Sequence, residues 1–179
     1  ILQNYKKLNR FIKKKKYKYK IIYINDGSKD GSLQKMIDTF KLEPEELVHY
    51  HHIPTQKVRG IYRSKVKAYR NLRVIDKENG GKADALNTGI NCCNHDLICC
   101  IDVDCILERN ALLKLIRPFL NDTKRVIASG GIIRVANNCV IEDGRILEVR
   151  LPGTFIARAQ ILEYFRAFLI LSCEAAKLN

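Results

Sequence analysis

The chain has 179 residues, the size of one ordinary domain. Hydrophobic residues make up 46% of it and charged residues 28%, which excludes a disordered tail and a collagen-like protein. No apolar run reaches the ~18 residues that a membrane-spanning helix needs. The seven cysteines include no Cys-x-x-Cys pair, which indicates reduced, mostly buried thiols rather than a zinc site.

The formal net charge of +13 is unevenly distributed. Residues 1–20 contain nine Lys or Arg and residues 57–75 contain seven more, and neither segment contains an acid. The other 16 basic residues are matched by 19 acidic ones, so the excess consists of two patches. Such patches suit a phosphate-rich ligand, an anionic membrane or nucleic acid. A solvated basic face without a partner is the competing interpretation.

The hydrophobic pattern predicts alternating helices and strands. In chain order these are a helix at 1–12, a strand at 19–24, a helix at 31–41, strands at 47–53 and 72–75, a helix at 82–91, a strand at 97–101, a helix at 109–120, strands at 126–135 and 146–151, and a helix at 161–169. The basic segment 54–70 is predicted to be an irregular surface loop. The alternation predicts an α/β domain with a mainly parallel sheet, whose ligand lies outside the carboxyl ends of the strands.

A carboxylate follows the first predicted strand, in the sequence Asn25-Asp26-Gly27-Ser28. A carboxylate fixed at a strand end accepts hydrogen bonds from a base or a ribose, and the glycine lets the backbone approach a ligand. A simple Asp-Gly turn is the competing interpretation.

Two more carboxylates, Asp102 and Asp104, follow the apolar run at 97–101. With Val103 turned the other way, both carboxylates are predicted to face one bound cation and its phosphate ligands. Oxygen ligands at a strand end suit Mg²⁺ or Mn²⁺ bridged to a diphosphate. The motif is short, so the prediction depends on its position after an expected buried strand.

A Gly-Gly turn at residues 79–82 opens the predicted helix at 82–91. Free N–H groups at a helix start, the positive end of its dipole and the charge of Lys82 predict a diphosphate cradle. The pattern is neither Gly-x-Gly-x-x-Gly nor the Walker sequence, which disfavours a dinucleotide or P-loop site. Close packing of the helix on the sheet through Ala83 and Ala85 is the alternative.

Together, these three motifs resemble the family-2 glycosyltransferases, above all the inverting, processive membrane synthases of the poly-N-acetylglucosamine, hyaluronan and cellulose types. The resemblance extends from about residue 17 to residue 169. Its most specific stretches are 74–87, 100–104, 130–137 and 163–169.

The resemblance implies a GT-A fold, which is a Rossmann-like, mainly parallel sheet flanked by helices, and a UDP-sugar donor. The donor-binding residues that it implies are Asn25, Asp26, Ser28, Gly81, Lys82 and Asp102. Among them, Asp26 would contact the uracil with support from Asn25 and Ser28. Lys82 would lie against the uridine or diphosphate, and Asp102 would face the ribose and the sugar.

The resemblance also implies a divalent cation, Mn²⁺ or Mg²⁺, coordinated by Asp104. Asp102 and Asp104 are therefore the expected catalytic residues. The cation would act as a Lewis acid that neutralises charge on the departing UDP.

By the same resemblance, we expect one truncated catalytic domain at 1–179 that lacks the family's first strand, its acidic general base and its Gln-x-x-Arg-Trp motif. It would comprise a basic lead-in at 1–16, a nucleotide-sugar-binding core at 17–135 and the beginning of the acceptor and membrane side at 136–179. The full-length protein is expected at the cytoplasmic face of the cell membrane, held by segments absent from this chain. The fragment alone is expected to be soluble and inactive.

The predicted function is metal-dependent, inverting transfer of a hexose or N-acetylhexosamine from a UDP-sugar to a growing polysaccharide, with no nucleic-acid partner. A nucleotidyltransferase that makes the nucleotide-sugar is an alternative, disfavoured because the first strand carries no Gly-rich loop with a basic residue. A nucleic-acid-binding module is a third interpretation, motivated by charge alone. The hyaluronan-, cellulose- and poly-N-acetylglucosamine-type enzymes share these residues, so the resemblance is compatible with any of their sugars.

Overall fold

The structure is a computed structural model that describes residues 18–46, 52–122, 125–142 and 144–177. The chain divides into two compact units, the first ending at Val103 and the second beginning at Asp104. The predicted helix at 1–12 and most of the predicted strand at 47–53 lie outside the described residues.

The first unit contains a four-stranded sheet in the spatial order β1-β4-β3-β2. The strands are β1 (Ile21–Asp26), β2 (Leu42–Pro44), β3 (Val58–Ser64) and β4 (Leu72–Lys77). β1 and β4 are parallel, whereas β3 pairs antiparallel with both β4 and β2. The predicted α/β class is confirmed, and the described sheet is mixed because the chain returns through β2 and β3 before it reaches β4.

Two helices cover the two faces of this sheet. The side chains of α1 (Ser32–Phe40) pack against one face, where Met36 and Phe40 join Leu72 and other buried residues in a core. The opposite face carries Ile75, which packs with Cys92 at the end of α2 (Gly81–Asn91). Because neighbouring residues of a strand point to opposite faces, β1 and β4 contribute side chains to both cores.

The prediction of an irregular basic loop at 54–70 is wrong. This segment forms β3 and a short 3-10 helix at Lys67–Tyr69. Several of its cations are paired with acids elsewhere in the unit: Arg63 with Glu45, Lys65 with Glu43 and Arg59 with Asp76. The basic composition of this segment therefore did not indicate a strand, because the acids that neutralise its cations lie elsewhere in the sequence.

Two predicted strands are absent from the structure. The run at 97–101 forms no strand, and Leu97, Ile98 and Ile101 are 43%, 48% and 39% exposed. Residues 126–135 likewise form no strand. In a continuous apolar run, polar and apolar residues do not alternate, so the sequence does not show which side chains would face the core. Such a run therefore specifies neither a strand register nor a partner strand.

The second unit consists of two helices and a hairpin. Its elements are α3 (Ala111–Asn121), β5 (Val140–Glu142), β6 (Arg145–Glu148) and α4 (Phe155–Lys177). α3 and α4 contain most of the predicted helices at 109–120 and 161–169, and β6 forms part of the predicted strand at 146–151. Across the described ranges, no helix combines the length and the apolar character needed to cross a membrane.

Candidate functional site

The ends of β1 and β4 bring four polar residues side by side. The parallel register pairs Asn25 with Asp76 and Asp26 with Lys77. Strand alternation places the first pair on the α1 face of the sheet and the second pair on the α2 face. The sequence predicts Asn25 and Asp26 in one site, whereas the structure directs their side chains to different networks.

On the α2 face, the Lys77 ammonium lies between two carboxylates. Its Nζ is 2.6 Å from Asp26 Oδ1 and 2.5 Å from Asp84 Oδ2, and it also donates to the Glu78 carbonyl oxygen at 2.5 Å. The Lys77 side chain is 0% exposed, against 21% for Asp26 and 17% for Asp84. Lys77 thus joins the end of β1 to the first turn of α2.

The pKa values in this network follow from the pairing. Burial alone would raise the pKa of Asp26, but the bonds from Lys77, Gly80 and Gly81 outweigh it and lower that pKa. Burial would lower the pKa of Lys77, but the two carboxylates raise it. The pKa of Asp84 is lowered, chiefly by its hydrogen bond from Lys77. All three groups are therefore charged at neutral pH.

Asp26 also occupies the start of α2. The Gly80 N–H donates to Asp26 Oδ1 at 3.0 Å, and the Gly81 N–H donates to Oδ2 at 2.8 Å. The helix start that the sequence predicts as a diphosphate cradle thus binds an anion from its own chain, which is the favoured charge at that position. Of the four acceptor positions of a carboxylate, these bonds and Lys77 use three, which leaves one on Oδ2 among the described contacts.

The turn after β1 is fixed against the turn before α2. Asn79 Nδ2 donates to the Asp26 carbonyl oxygen at 3.0 Å. Gly27 has φ +74°, and a Cβ on it would lie 2.9 Å from the Asn79 backbone nitrogen. Only glycine fits this left-handed position and this close approach without strain. Ser28, which follows it, is exposed.

Lys82 and Asp102 form a second ion pair, in which both side chains are accessible. Lys82 Nζ is 2.8 Å from each oxygen of the Asp102 carboxylate, and the two side chains are 70% and 53% exposed. Lys82 lies in the first turn of α2, one residue after Gly81. The structure therefore brings three predicted donor-binding residues, Asp26, Gly81 and Lys82, to one helix start and joins Asp102 to them.

A buried polar network on the α1 face was missed by the sequence analysis. Asn25 is 4% exposed and donates through Nδ2 to Asp76 Oδ1 at 2.7 Å, so its amide is already used. Arg59 reaches both oxygens of Asp76 at 2.9 Å. A shift of register between Val58 and Gly60 places Arg59 in a bulge, which is a common way to redirect a side chain at a sheet edge.

The sequence did contain a signal for Lys77 and Asp76. Two charged residues end an apolar strand at 72–77, as two polar residues end the strand at 21–26. In a parallel pair of equal length, these ends meet. The predicted strands at 19–24 and 72–75 end before these polar residues, so the pairing of the strand ends was not predicted.

Asp104 is exposed and belongs to the second unit. Within the described ranges, no cluster of three or more His, Cys, Asp or Glu side chains is arranged to hold a metal ion. A hard cation such as Mg²⁺ commonly takes only one or two protein carboxylates and completes its shell with phosphate oxygens and water. An exposed carboxylate fits that type of site and does not fit a closed structural metal site.

Comparison with known proteins gives a family match over more than half of the chain. The family described as Glycosyl transferase family 2 matches residues 54–159. Poly-beta-1,6-N-acetyl-D-glucosamine synthase from Staphylococcus aureus, in strains COL, MSSA476 and MRSA252, is 31% identical over 114 residues.

That alignment covers 63% of this chain and 21% of each relative, so the chain spans about a fifth of the length of the curated proteins it matches. No solved structure matches the chain at a significant level.

Proposed function

The chain belongs to glycosyl transferase family 2, and from this premise we propose that it binds a UDP-sugar for transfer to a growing polysaccharide. The supporting observation is the contrast between two ion pairs at the start of α2. The Asp26–Lys77 pair is held in place by burial, whereas the Lys82–Asp102 pair is exposed. An exposed pair contributes only about 0–1 kcal/mol, so a ligand can replace it at little cost.

The two pairs have different roles in donor binding. Asp26 offers its remaining acceptor position on Oδ2 to the imide N–H of uracil, a geometry that a fixed carboxylate provides without reorganisation. On donor binding, the Lys82 ammonium moves from Asp102 to the diphosphate, because the diphosphate of a UDP-sugar carries two negative charges and attracts the ammonium more strongly than one carboxylate does. Asp102 then accepts hydrogen bonds from the ribose and sugar hydroxyls.

The other predicted donor-binding residues lie near these two ion pairs or support them. Gly81, at φ +82° with open space where a Cβ would be, lets the nucleotide approach the backbone. Ser28 is exposed beside the turn and offers a hydroxyl to the base. Asn25 supports the site indirectly, since it holds Asp76 at the end of β4.

Asp104 is the proposed ligand of Mn²⁺ or Mg²⁺. When bound, the cation would neutralise negative charge on the departing UDP. The contribution of this chain is one accessible carboxylate, that of Asp104. Asp102 and Asp104 are thus the proposed catalytic residues of an inverting transfer.

The substrate, partners and location are also proposals. The name of the S. aureus relatives makes N-acetylglucosamine the first sugar to test and a β-1,6-linked polymer the first acceptor class. Residues 17–135 are the proposed nucleotide-sugar-binding core, 1–16 a basic lead-in, and 136–179 the beginning of the acceptor side. Association of the full-length protein with the cytoplasmic face of the membrane is part of the same proposal.

Asp104→Asn should remove the metal dependence of UDP binding. Wild-type affinity for UDP should rise when Mn²⁺ is added. In the variant, the factor by which Mn²⁺ raises that affinity should be at least about tenfold smaller, since losing even an outer-shell partner costs 10–100-fold in metal affinity. Calorimetric titration of UDP with and without Mn²⁺ measures this. Asp96→Asn, which removes the same charge from another exposed site, should behave as wild type.

An equal Mn²⁺ effect in wild type and Asp104→Asn would contradict the metal assignment. Titrations with other ligands distinguish the two alternative functions. A preference for nucleoside triphosphate with sugar phosphate would favour a nucleotidyltransferase. Salt-dependent oligonucleotide binding that survives Asp104→Asn would favour a nucleic-acid-binding module.

A further inference from the structure

We propose that Lys77 is a positioning residue that orients the Asp26 carboxylate and thereby sets the preference of the site for uracil over cytosine. The inference rests on the proposed UDP-sugar site and extends it to a residue that does not itself touch the ligand. It follows from the contacts that the Lys77 ammonium makes with neighbouring oxygens.

Three oxygens surround the Lys77 ammonium, two as hydrogen-bond acceptors and the third, Asp84 Oδ2, as an ion-pair contact. These are Asp26 Oδ1, Asp84 Oδ2 and the Glu78 carbonyl oxygen, all within 2.6 Å of Nζ. The side chain is 0% exposed, so no bulk water competes for these donors. A buried ammonium held by two hydrogen bonds and a further ion-pair contact cannot move without breaking an ion pair.

The second anchor of Lys77 is itself fixed. Asp84 Oδ1 accepts from the Gln56 N–H at 2.9 Å, and the Asp84 carbonyl oxygen accepts from Thr88 Oγ1 at 2.9 Å. Lys77 is therefore held from α2 as well as from β4. Its position does not depend on Asp26, and so it can determine where the Asp26 carboxylate lies.

The fixed carboxylate presents a single acceptor direction. Oδ1 is used by Lys77 and the Gly80 N–H, while Oδ2 is used once, by the Gly81 N–H. Uracil carries a ring N–H donor where cytosine, a base of the same size, carries a ring nitrogen acceptor. A carboxylate held opposite that position accepts from uracil and repels the lone pair of cytosine.

Without Lys77, the Asp26 carboxylate keeps its two backbone donors but loses the cation that restricts its rotation. A rotating carboxylate can turn an oxygen toward the exocyclic amino group of cytosine. Discrimination between the two bases should then fall even though the site remains. A merely structural role of Lys77 would weaken UDP and CDP binding by the same factor.

The test compares UDP and CDP affinities in the wild-type chain and in a double variant, Lys77→Met with Asp84→Asn. The Asp84→Asn change removes one of the two carboxylates that Lys77 neutralises, and Asp26 keeps its Gly80 and Gly81 N–H donors, so the double variant should fold. Its UDP-to-CDP affinity ratio should fall by about tenfold or more, the size expected when one hydrogen bond to a charged group loses its geometry.

Arg73→Met with Glu45→Gln is the matched control. Arg73 also lies on β4, its side chain is 14% exposed, and it pairs with both oxygens of Glu45 at 2.8 and 3.0 Å. This control should leave the UDP-to-CDP ratio unchanged. Lys77→Arg, which keeps the charge on a planar group of different shape, should give an intermediate ratio.

An unchanged ratio in the folded double variant would overturn the role of Lys77 while leaving the UDP site intact. If the double variant does not fold, Lys77→Arg decides: an intermediate ratio supports the proposal and a wild-type ratio overturns it. A folded wild-type chain that binds no UDP would overturn the proposed function and, with it, this inference.

Discussion

Lys77→Met should lower the free energy of unfolding by about 3–5 kcal/mol, the range for removing one partner of a buried ion pair. The variant leaves Asp26 and Asp84 facing each other without the cation between them. Chemical denaturation at neutral pH measures the loss. Adding Asp84→Asn should recover part of it, since one of the two facing charges is then removed.

Lys82→Met is the control for this result, because it makes the same substitution in an exposed ion pair on the same helix start. Its effect should stay within about 1 kcal/mol. Equal losses in the two variants would contradict the distinction between a fixed pair and an exchangeable pair.

The pH dependence of stability should follow from the same network. The pKa values of Asp26 and Asp84 are lowered in the folded state, so their stabilisation is complete above about pH 4 and is lost as the pH falls through the folded values. The pKa of Lys77 is raised, so its contribution is complete below about pH 10 and is lost as the pH rises further. The penalty of Lys77→Met should therefore be largest between these limits and shrink in acid.

Phe40→Ala should also cost about 3–5 kcal/mol, through the cavity that it leaves under α1. Phe40 is 1% exposed and contacts the Tyr69 ring edge to face, with centroids 5.2 Å apart. Its carbonyl oxygen accepts from Ser64 Oγ at 2.6 Å, which ties the end of α1 to β3. The substitution thus tests whether α1 and the sheet share one core, and denaturant unfolding again provides the measurement.

Lys35→Ala, on the exposed side of the same helix, should change the free energy of unfolding by no more than about 0.5 kcal/mol. A loss below about 1 kcal/mol in Phe40→Ala would show that α1 does not pack on the sheet as described.

Helices were more predictable from this sequence than strands. α1, α2 and α3 begin and end within about two residues of their predicted bounds, because a helical period and its flanking turn residues are local signals. The strands depended on partners elsewhere in the chain. β1 and β4 continue through Asp26 and Lys77, and the burial of Lys77 is possible because Asp26 and Asp84 neutralise its charge.

The site followed the same rule. Asp26, Gly81 and Lys82 were selected from their turn chemistry. Asp102 was selected from its position after a predicted buried strand at 97–101, which the structure does not form. The role of Lys77 could not be predicted in this way, because a lysine in a strand is ordinarily exposed and only the parallel register places it between two carboxylates. For the same reason, the sequence did not predict that the Asp26 carboxylate accepts from the N–H groups at the start of α2.

We propose that the carboxyl ends of β1 and β4, with the start of α2, form a nucleotide-sugar donor site. The most direct test is thermal unfolding of the wild-type chain with UDP, with Mn²⁺ and with both. At about 100 times the dissociation constant, UDP with Mn²⁺ should add roughly 2.7 kcal/mol to the free energy of unfolding, and ADP with Mn²⁺ should add less. A cooperatively folded chain whose unfolding is unaffected by UDP, with or without Mn²⁺, would contradict the claim.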